Sequence, residues 1–525
     1  MSEPTFNEPV CFGFGEQSAL PFDRSLVEAL GGKGASLVEM TRLGLPVPPG
    51  FIIPIAVCRE VLQHGWQQQH EKMIRSALTE MEHSLGSSLG SQTNPLLLSV
   101  RSGAAVSMPG MMDTVLNVGM TPGVATGLLS ATNDERFAAD TFHRAAMSQA
   151  EVVSEASATD LERCERAHHV GNLSATVSAW AHAYELTADP ISQVIDSIQA
   201  VFHSWNLPRA QKYREVEQIT DALGTAAVIQ QMVFGNMPGQ SGTGVVFTRD
   251  PATGEKGLIG DFLERAQGED VVAGRQTTLR LSELNRKWPA IANELAQAAT
   301  KLEHHYQDMV DIEFTIEDGR LFLLQSRAGK RSPEAAFRVA VDLAEDVKFD
   351  VDRAEAIRRC DHLLAEKSER LLGDDSGSDT VLATGLPASP GRVSGFLAVD
   401  LDDAIERSVR GEDVILARPT TTPSDVSGMA EAAGLITTLG GLVSHAAVVA
   451  RSWGIPAVVG ATDIIVRADG IEIAGQLIAV GTPITIDGST GDVLAGAVGV
   501  VRQAIPAAQT ILEWRKSTIG EPLEA

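Results

Sequence analysis

The stretch from Gly434 to Gly460, GLITTLGGLVSHAAVVARSWGIPAVVG, limits what this chain can become more than any other. It reads as strand, Gly-rich turn, helix and strand, with one histidine, His445, at the expected first turn of the helix. Gly440 and Gly441 allow close backbone approach, and Ser444 is the expected N-cap. A helix start offers unpaired N–H groups and the positive end of the peptide dipoles, so an anion is stabilised there. An imidazole in that place can accept a phosphoryl group and hold it. The competing reading is a histidine with a purely structural role, and the rest of the chain has to decide between them.

At 525 residues the chain exceeds a single core, and about three domains or subdomains are expected. No apolar run approaches the roughly 18 residues of a membrane span, so no membrane association is expected. Met1 to Pro9 is polar and acidic, without a basic segment followed by an apolar one; no secretory signal is read, and the expected location is cytoplasmic. Cys11, Cys58, Cys164 and Cys360 lie far apart, form no metal-ligand pair, and fit reduced thiols. The formal net charge of −26 disfavours nucleic acid and anionic membranes as partners. Any polyphosphate site must therefore gather its few positive groups locally.

No solenoid-period repeat is present. The first hundred residues mix helical and strand patterns around Gly31-Gly-Lys-Gly34 and end in the apolar run Leu96 to Val100. From about Asn133 to Asp221 the pattern is helical. Strand patterns return at Ala226 to Phe234, Gly244 to Thr248 and Val310 to Gln325, and two amphipathic helices are expected near Ser332–Asp346 and Val351–Leu371. The small, acidic segment Gly373 to Asp379 (GDDSGSD) reads as the clearest linker. Beyond it, short β and α segments alternate to about Val500. The expected division is 1–330, with a helical insertion at about 133–221; a connector and linker at 331–380; a second domain at 381–505; and a tail at 506–525. The expected class is α/β (α+β) and multidomain.

Three further constellations bear on chemistry. Lys33 stands among glycines before a helical pattern, which suits a phosphate cradle, although the spacing is not that of a Walker A loop and a plain glycine turn reads equally well. Arg101 directly follows a buried-strand pattern, where a charge needs a partner; a bidentate phosphate or a structural carboxylate would serve. The following Met-Pro-Gly-Met-Met reads as a packed or mobile loop. Finally, Met309 to Arg327 reads as a hairpin around Glu317-Asp318-Gly319. Asp311 and Glu313 share a face because strand side chains alternate. A two-residue turn would send Gln325 to the opposite face. A three-residue loop with Gly319 left-handed would bring Asp311, Glu313, Gln325 and Arg327 together and put Ile312, Phe314, Ile316, Phe322 and Leu324 on the other side. The three-residue loop is expected. Carboxylate and amide oxygens on one face suit Mg²⁺ carrying nucleotide phosphates, whereas a solvated polar edge is the alternative.

These segments resemble the dikinases that make phosphoenolpyruvate, the pyruvate, phosphate dikinase family. The stretches that carry the resemblance are Gly31–Phe51 (GGKGASLVEMTRLGLPVPPGF), Val100–Gly119 (VRSGAAVSMPGMMDTVLNVG), Ser241–Gly254 (SGTGVVFTRDPATG), Ala266–Gly274 (AQGEDVVAG), Asp311–Arg327, Gly434–Gly460 and Ile486–Val493 (IDGSTGDV), in the family's order. The resemblance implies an N-terminal ATP-grasp nucleotide-binding domain and a swivelling α/β phosphohistidine domain. By motif position it implies that His445 carries the phosphoryl group and that Lys33, Arg101 and Arg327 contact ATP phosphates. It further implies that Asp311, Glu313 and Gln325 are nucleotide and metal ligands, with Glu313 and Gln325 on the Mg²⁺. Gln231, Met232 and Val233 would line the adenine edge, and Glu269 would lie near the phosphates.

Three departures stand out. The family's usual threonine two residues before the histidine is Val443, and the second arginine often found in its SGAR segment is Ala105. The sequence reaches Ala525 where the resemblance implies that a C-terminal TIM barrel for pyruvate begins. The expectation is therefore a barrel-less, dikinase-type phosphotransferase, with ATP and Mg²⁺ as cofactors. It autophosphorylates His445 from the β-phosphate of ATP, releases AMP, and yields PPi if inorganic phosphate is co-substrate. Transfer to pyruvate would need a barrel in trans, either a separate pyruvate-binding barrel protein or the other part of a split enzyme; a piece cut from a longer protein is the alternative. The alternative from another class is a non-catalytic, nucleotide-sensing module, which would have no need of the histidine. A drug-inactivating phosphotransferase would need an inserted domain for which 330–385 has no room.

Overall fold

The computed structural model describes residues 12–14, 25–106, 108, 111–154, 156–168, 172–183, 189–216, 218–221, 223–272, 278–365, 367–373, 380–422 and 425–519. The expected linker lies, apart from Gly373, outside the described residues, as does Cys11. The chain is a mixed α/β protein. It forms two compact units, residues 1–241 with 315–327, and residues 242–314 with 328–525.

In the first unit a five-stranded sheet runs in the order Phe12–Phe14, Gly50–Ile53, Ala226–Gln231, Leu98–Gly103, Thr114–Val118, with every neighbouring pair antiparallel. One core cluster joins Phe51, Ile53, Leu98, Val100 and Ile229 of the sheet to Ile74 and Leu78 of helix Gln68–Leu85 and to Ile198 and Phe202 of helix Pro190–Ser204. The expected helical stretch is present as Glu135–Val152, Ala158–His168, Leu173–Ala183, Pro190–Ser204 and Pro208–Val216. Asp134 and Asp189 cap the first and fourth of these by accepting from Phe137 N and Ser192 N, leaving fewer orphan amides at each start. Met108 and Met111 of the Met-rich segment are buried against Trp205 and Ala210, so these two are packed rather than loose.

In the second unit, strands Leu279–Arg280, Lys256–Glu264, Gly242–Arg249 and Val310–Glu317 are neighbours in that order. A larger sheet of eight strands runs Val381–Thr384, Asp492–Ala495, Pro483–Asp487, Arg392–Ala398, Val414–Arg418, Gly434–Thr437, Ala457–Val459, Leu386–Ser389. From Arg392–Ala398 to Ala457–Val459 the successive pairs are parallel. Parallel neighbours need crossovers, supplied by helices Leu401–Val409, Val426–Glu431 and His445–Trp453.

One expectation changes here. The second amphipathic helix stops at Leu364, and Glu369–Gly373 is a strand, because Val500–Ala504 pairs with it. The helix-like segment expected near the end of the chain is helix Pro506–Ile519, whose Ala508, Ile511 and Trp514 are buried with Phe337 and Cys360 of helices Pro333–Glu345 and Arg353–Leu364. Cys58, Cys164 and Cys360 are free thiols and buried.

Candidate active site

Strands Val414–Arg418 and Gly434–Thr437 are parallel neighbours, so the loops that leave their carboxyl ends emerge at one edge of the sheet. The second loop turns at Gly440, φ 96°. Ser444 then caps the helix that begins on His445, accepting from Ala447 N at 3.5 Å. The first loop supplies Thr421, whose Oγ1 lies 3.0 Å from His445 Nδ1. That loop is tied by Asp425, whose Oδ2 accepts from Thr422 N at 2.7 Å and Thr422 Oγ1 at 3.0 Å, while its Oδ1 stands 3.7 Å from Arg418 Nη2. The imidazole is half-buried. Burial pushes its pKa below the ordinary 6.5, the positive charge of Lys330 acts in the same direction, and Asp425 opposes them. The ring is therefore neutral at physiological pH. When Nδ1 carries the proton and Thr421 accepts it, the Nε2 lone pair is available as a nucleophile.

The turn before the histidine is gripped from two sides. Val443 N donates to Asp261 Oδ2 at 3.1 Å, and a Cβ on Gly441 would stand 2.1 Å from that oxygen, so only glycine permits the approach. Burial pushes the Asp261 carboxyl up, against the lowering effect of the Val443 amide. Arg451, fully buried, donates to Leu442 O at 2.7 Å and Ala388 O at 3.0 Å; burial lowers its pKa to about 10.

The first unit gathers a second set. Helix Ser25–Arg42 breaks at Gly31 (φ 71°, ψ 168°), where a Cβ would stand 1.8 Å from Gly103 O. Gly32 N donates to Ala104 O at 3.0 Å, and Lys33, half-buried, lies in the first turn after the break. The glycines thus interrupt a helix rather than merely precede one. Arg101 Nη2 donates to Gln230 Oε1 at 2.6 Å and Leu324 O at 3.1 Å, and Gln230 is itself held by Pro48 O at 2.9 Å. One turn beyond Lys33, Ser36 Oγ meets Ser326 Oγ at 3.0 Å. Three separate elements thereby bring the backbones of Lys33, Arg101, Gln325 and Arg327 together. Gln231 and Met232 donate their N–H groups to Pro49 O at 2.9 Å and Leu97 O at 2.8 Å, and Val233 is buried.

The hairpin turn differs from expectation. It has two residues, Asp318 and Gly319, both left-handed (φ 44° and 80°) between strands Val310–Glu317 and Arg320–Ala328. Positive φ at both positions gives a type I′ turn, whose twist matches that of the strands. Accordingly Leu321 and Leu323 are the buried residues after the turn, in place of Phe322 and Leu324. The alternation then changes phase between Leu324 and Gln325: Ser326 is buried, and Gln325 and Arg327 are half-buried on the other side. Asp311 is buried at 3% exposure, Glu313 is half-buried two residues on, and Glu269 is exposed on helix Gly268–Val272. No group of three or more His, Cys, Asp or Glu side chains among the described residues could hold a metal.

Sequence reasoning missed Thr421, Asp425, Gln230 and Asp261. Thr420 to Thr422 ahead of Pro-Ser-Asp is visible as a hydroxyl-rich turn, but nothing local says which imidazole it meets.

Residues 27–76, 65–283 and 279–346 match the pyruvate phosphate dikinase AMP/ATP-binding domain, and residues 410–491 match the mobile domain of PEP-utilising enzymes. The chain is 42% identical over 515 residues to the chloroplastic pyruvate, phosphate dikinase of Mesembryanthemum crystallinum, covering 94% of this chain and 54% of that protein. It is 42% identical over 514 residues to pyruvate, phosphate dikinase 2 of Zea mays (92% and 57%) and 40% identical over 525 residues to the enzyme of Rhizobium meliloti strain 1021 (94% and 58%). The chain thus spans a little over half the length of these relatives. With an AMP/ATP-binding domain, a mobile domain and this identity along most of its length, the chain belongs to the pyruvate, phosphate dikinase family.

Proposed function

We propose that this chain performs the nucleotide half of a dikinase reaction, with His445 as the phosphoryl carrier. Nε2 attacks the β-phosphorus of ATP, the bond from that phosphorus to the α-phosphate oxygen breaks, and AMP leaves with the electron pair. Attack of inorganic phosphate on the outer phosphorus then releases PPi and leaves phosphohistidine. The observation that carries this reading is the half-buried imidazole at a helix start, with Nδ1 at 3.0 Å from a hydroxyl that can fix its tautomer. Lys33, Arg101 and Arg327 are the proposed phosphate cations. Gln231 to Val233 form the proposed adenine edge, with Asp311 and Glu269 proposed nearer the phosphates. The hard oxygens of Glu313 and Gln325 suit Mg²⁺, which would neutralise charge on the phosphates. We further propose that delivery to pyruvate uses a pyruvate-binding barrel outside residues 1–525, in the cytoplasm.

The test is incubation with β-³²P-labelled ATP and Mg²⁺. Acid-labile, base-stable label that is lost in His445→Ala supports the reading. Undiminished label and AMP release in that variant refute it. ATP binding without label under any condition points to a nucleotide sensor.

A further inference from the structure

The segment that leaves strand Ala226–Gln231 has its main-chain donors almost fully committed. Gln231 N donates to Pro49 O at 2.9 Å, Met232 N to Leu97 O at 2.8 Å, and Phe234 N to Glu317 Oε1 at 2.9 Å. Val233 is the exception: its N–H has no acceptor among the described residues, although the residue is only 8% exposed. A buried N–H without an acceptor is costly unless something else pairs with it.

We propose that Glu317 is a positioning residue for purine selection: by occupying the Phe234 N–H, it leaves the Val233 N–H as the single main-chain donor offered to the base. Adenine presents an unprotonated N1 that accepts such a donor, whereas guanine presents N1–H, which meets it donor to donor. This inference rests on the adenine edge proposed above.

The hairpin tip is built for that grip. Immediately after Glu317, Asp318 N donates to Ser241 Oγ at 3.0 Å and Gly319 N to Gln240 O at 2.8 Å, so the tip holds the loop at both of its ends. Gly239, at φ 93°, lies so close that a Cβ would stand 2.9 Å from Asp318 Oδ1. On the side-chain side, Phe234 meets Phe137 edge to face at 5.6 Å, and Met232 and Met237 pack on the same helical cluster. Helices thus hold the side chains of the segment while Glu317 holds its backbone. Burial raises the Glu317 carboxyl, and the Phe234 amide opposes that rise.

The experiment measures Kd for Mg·ATP and Mg·GTP by calorimetry on the full chain, Glu317→Ala and Glu317→Gln. The alanine variant should lose about five- to tenfold of its preference for ATP over GTP, the equivalent of one hydrogen bond, with GTP binding unmoved. A general folding defect would weaken both nucleotides together. The glutamine variant, whose amide oxygen can still accept, should stay within about twofold of the parent. Residue-resolved amide exchange on the parent needs no variant: ATP should protect Val233 N–H, while Phe234 N–H is protected with or without it. An unchanged ATP preference in Glu317→Ala, or a Val233 amide that ATP fails to protect, overturns the inference while leaving ATP binding intact. A parent that binds no ATP sinks the functional reading itself.

Discussion

Replacing Thr421 by valine removes one hydroxyl and keeps the side-chain shape. In the parent that oxygen stands 3.0 Å from His445 Nδ1. Its contribution grows during reaction, because the imidazole acquires positive charge as Nε2 bonds to phosphorus. A hydrogen bond between neutral groups is worth about 1 kcal/mol, and one to a charged group about 1.5–3 kcal/mol. The second range applies to the transition state, so phosphohistidine formation should slow roughly tenfold to a hundredfold. ATP affinity should not change, because Thr421 acts on the nucleophile alone. Rapid-quench single turnovers with β-³²P-labelled ATP at saturating nucleotide measure the step directly. Thr421→Ser, which restores the hydroxyl, should recover most of the rate. A Thr421→Val rate within about twofold of the parent, in a protein whose His445→Ala variant is dead, would refute the assignment of Thr421 as the tautomer-fixing partner.

Two more expectations follow from the same geometry. The His445 pKa lies below 6.5, so the lone pair persists where an ordinary imidazole is half protonated. The low-pH decline in labelling rate should have its midpoint beneath 6.5, and Lys330→Ala, which removes a repelling charge, should move that midpoint upward. A decline centred above 6.5 in the parent would contradict the burial argument. Val443 is 4% exposed in a cluster with Val245, Phe247, Leu263 and Met309, so the threonine usual in the family would bury an extra hydroxyl there. Val443→Thr should destabilise the protein by about 1–3 kcal/mol, read as a lower denaturant midpoint with unchanged slope.

The parts of the site that were legible in the sequence are those governed by short-range rules. Gly440, Ser444 and His445 obey turn and capping chemistry that operates over a few residues, and the structure has that turn, that cap and that helix start. The hairpin was legible as a hairpin but not in its turn. Asp318 and Gly319 suit a two-residue turn, and bonds from their amides to Gln240 and Ser241, far away in sequence, accompany it. The helix expected over Val351–Leu371 ends at Leu364, and Glu369–Leu371 belong instead to a strand of five residues, too short for an unambiguous period; its pairing with Val500–Ala504 decides the matter.

By itself, then, the sequence determined the mixed α/β character, the order of the segments, and a histidine, His445, poised at a helix start. Each of these depends on residues a few positions apart. The tertiary structure alone decided that Thr421 meets His445 and that Gln230 orients Arg101. It also decided that Asp261 holds the turn before the histidine and that Glu317 closes the Phe234 amide. The reason is physical: side-chain hydrogen bonds reach about 3 Å. Strand pairing, parallel beside Thr421 and His445 and antiparallel beside Arg101 and Gln230, or the docking of a hairpin tip, carries residues that are distant in the chain within that reach.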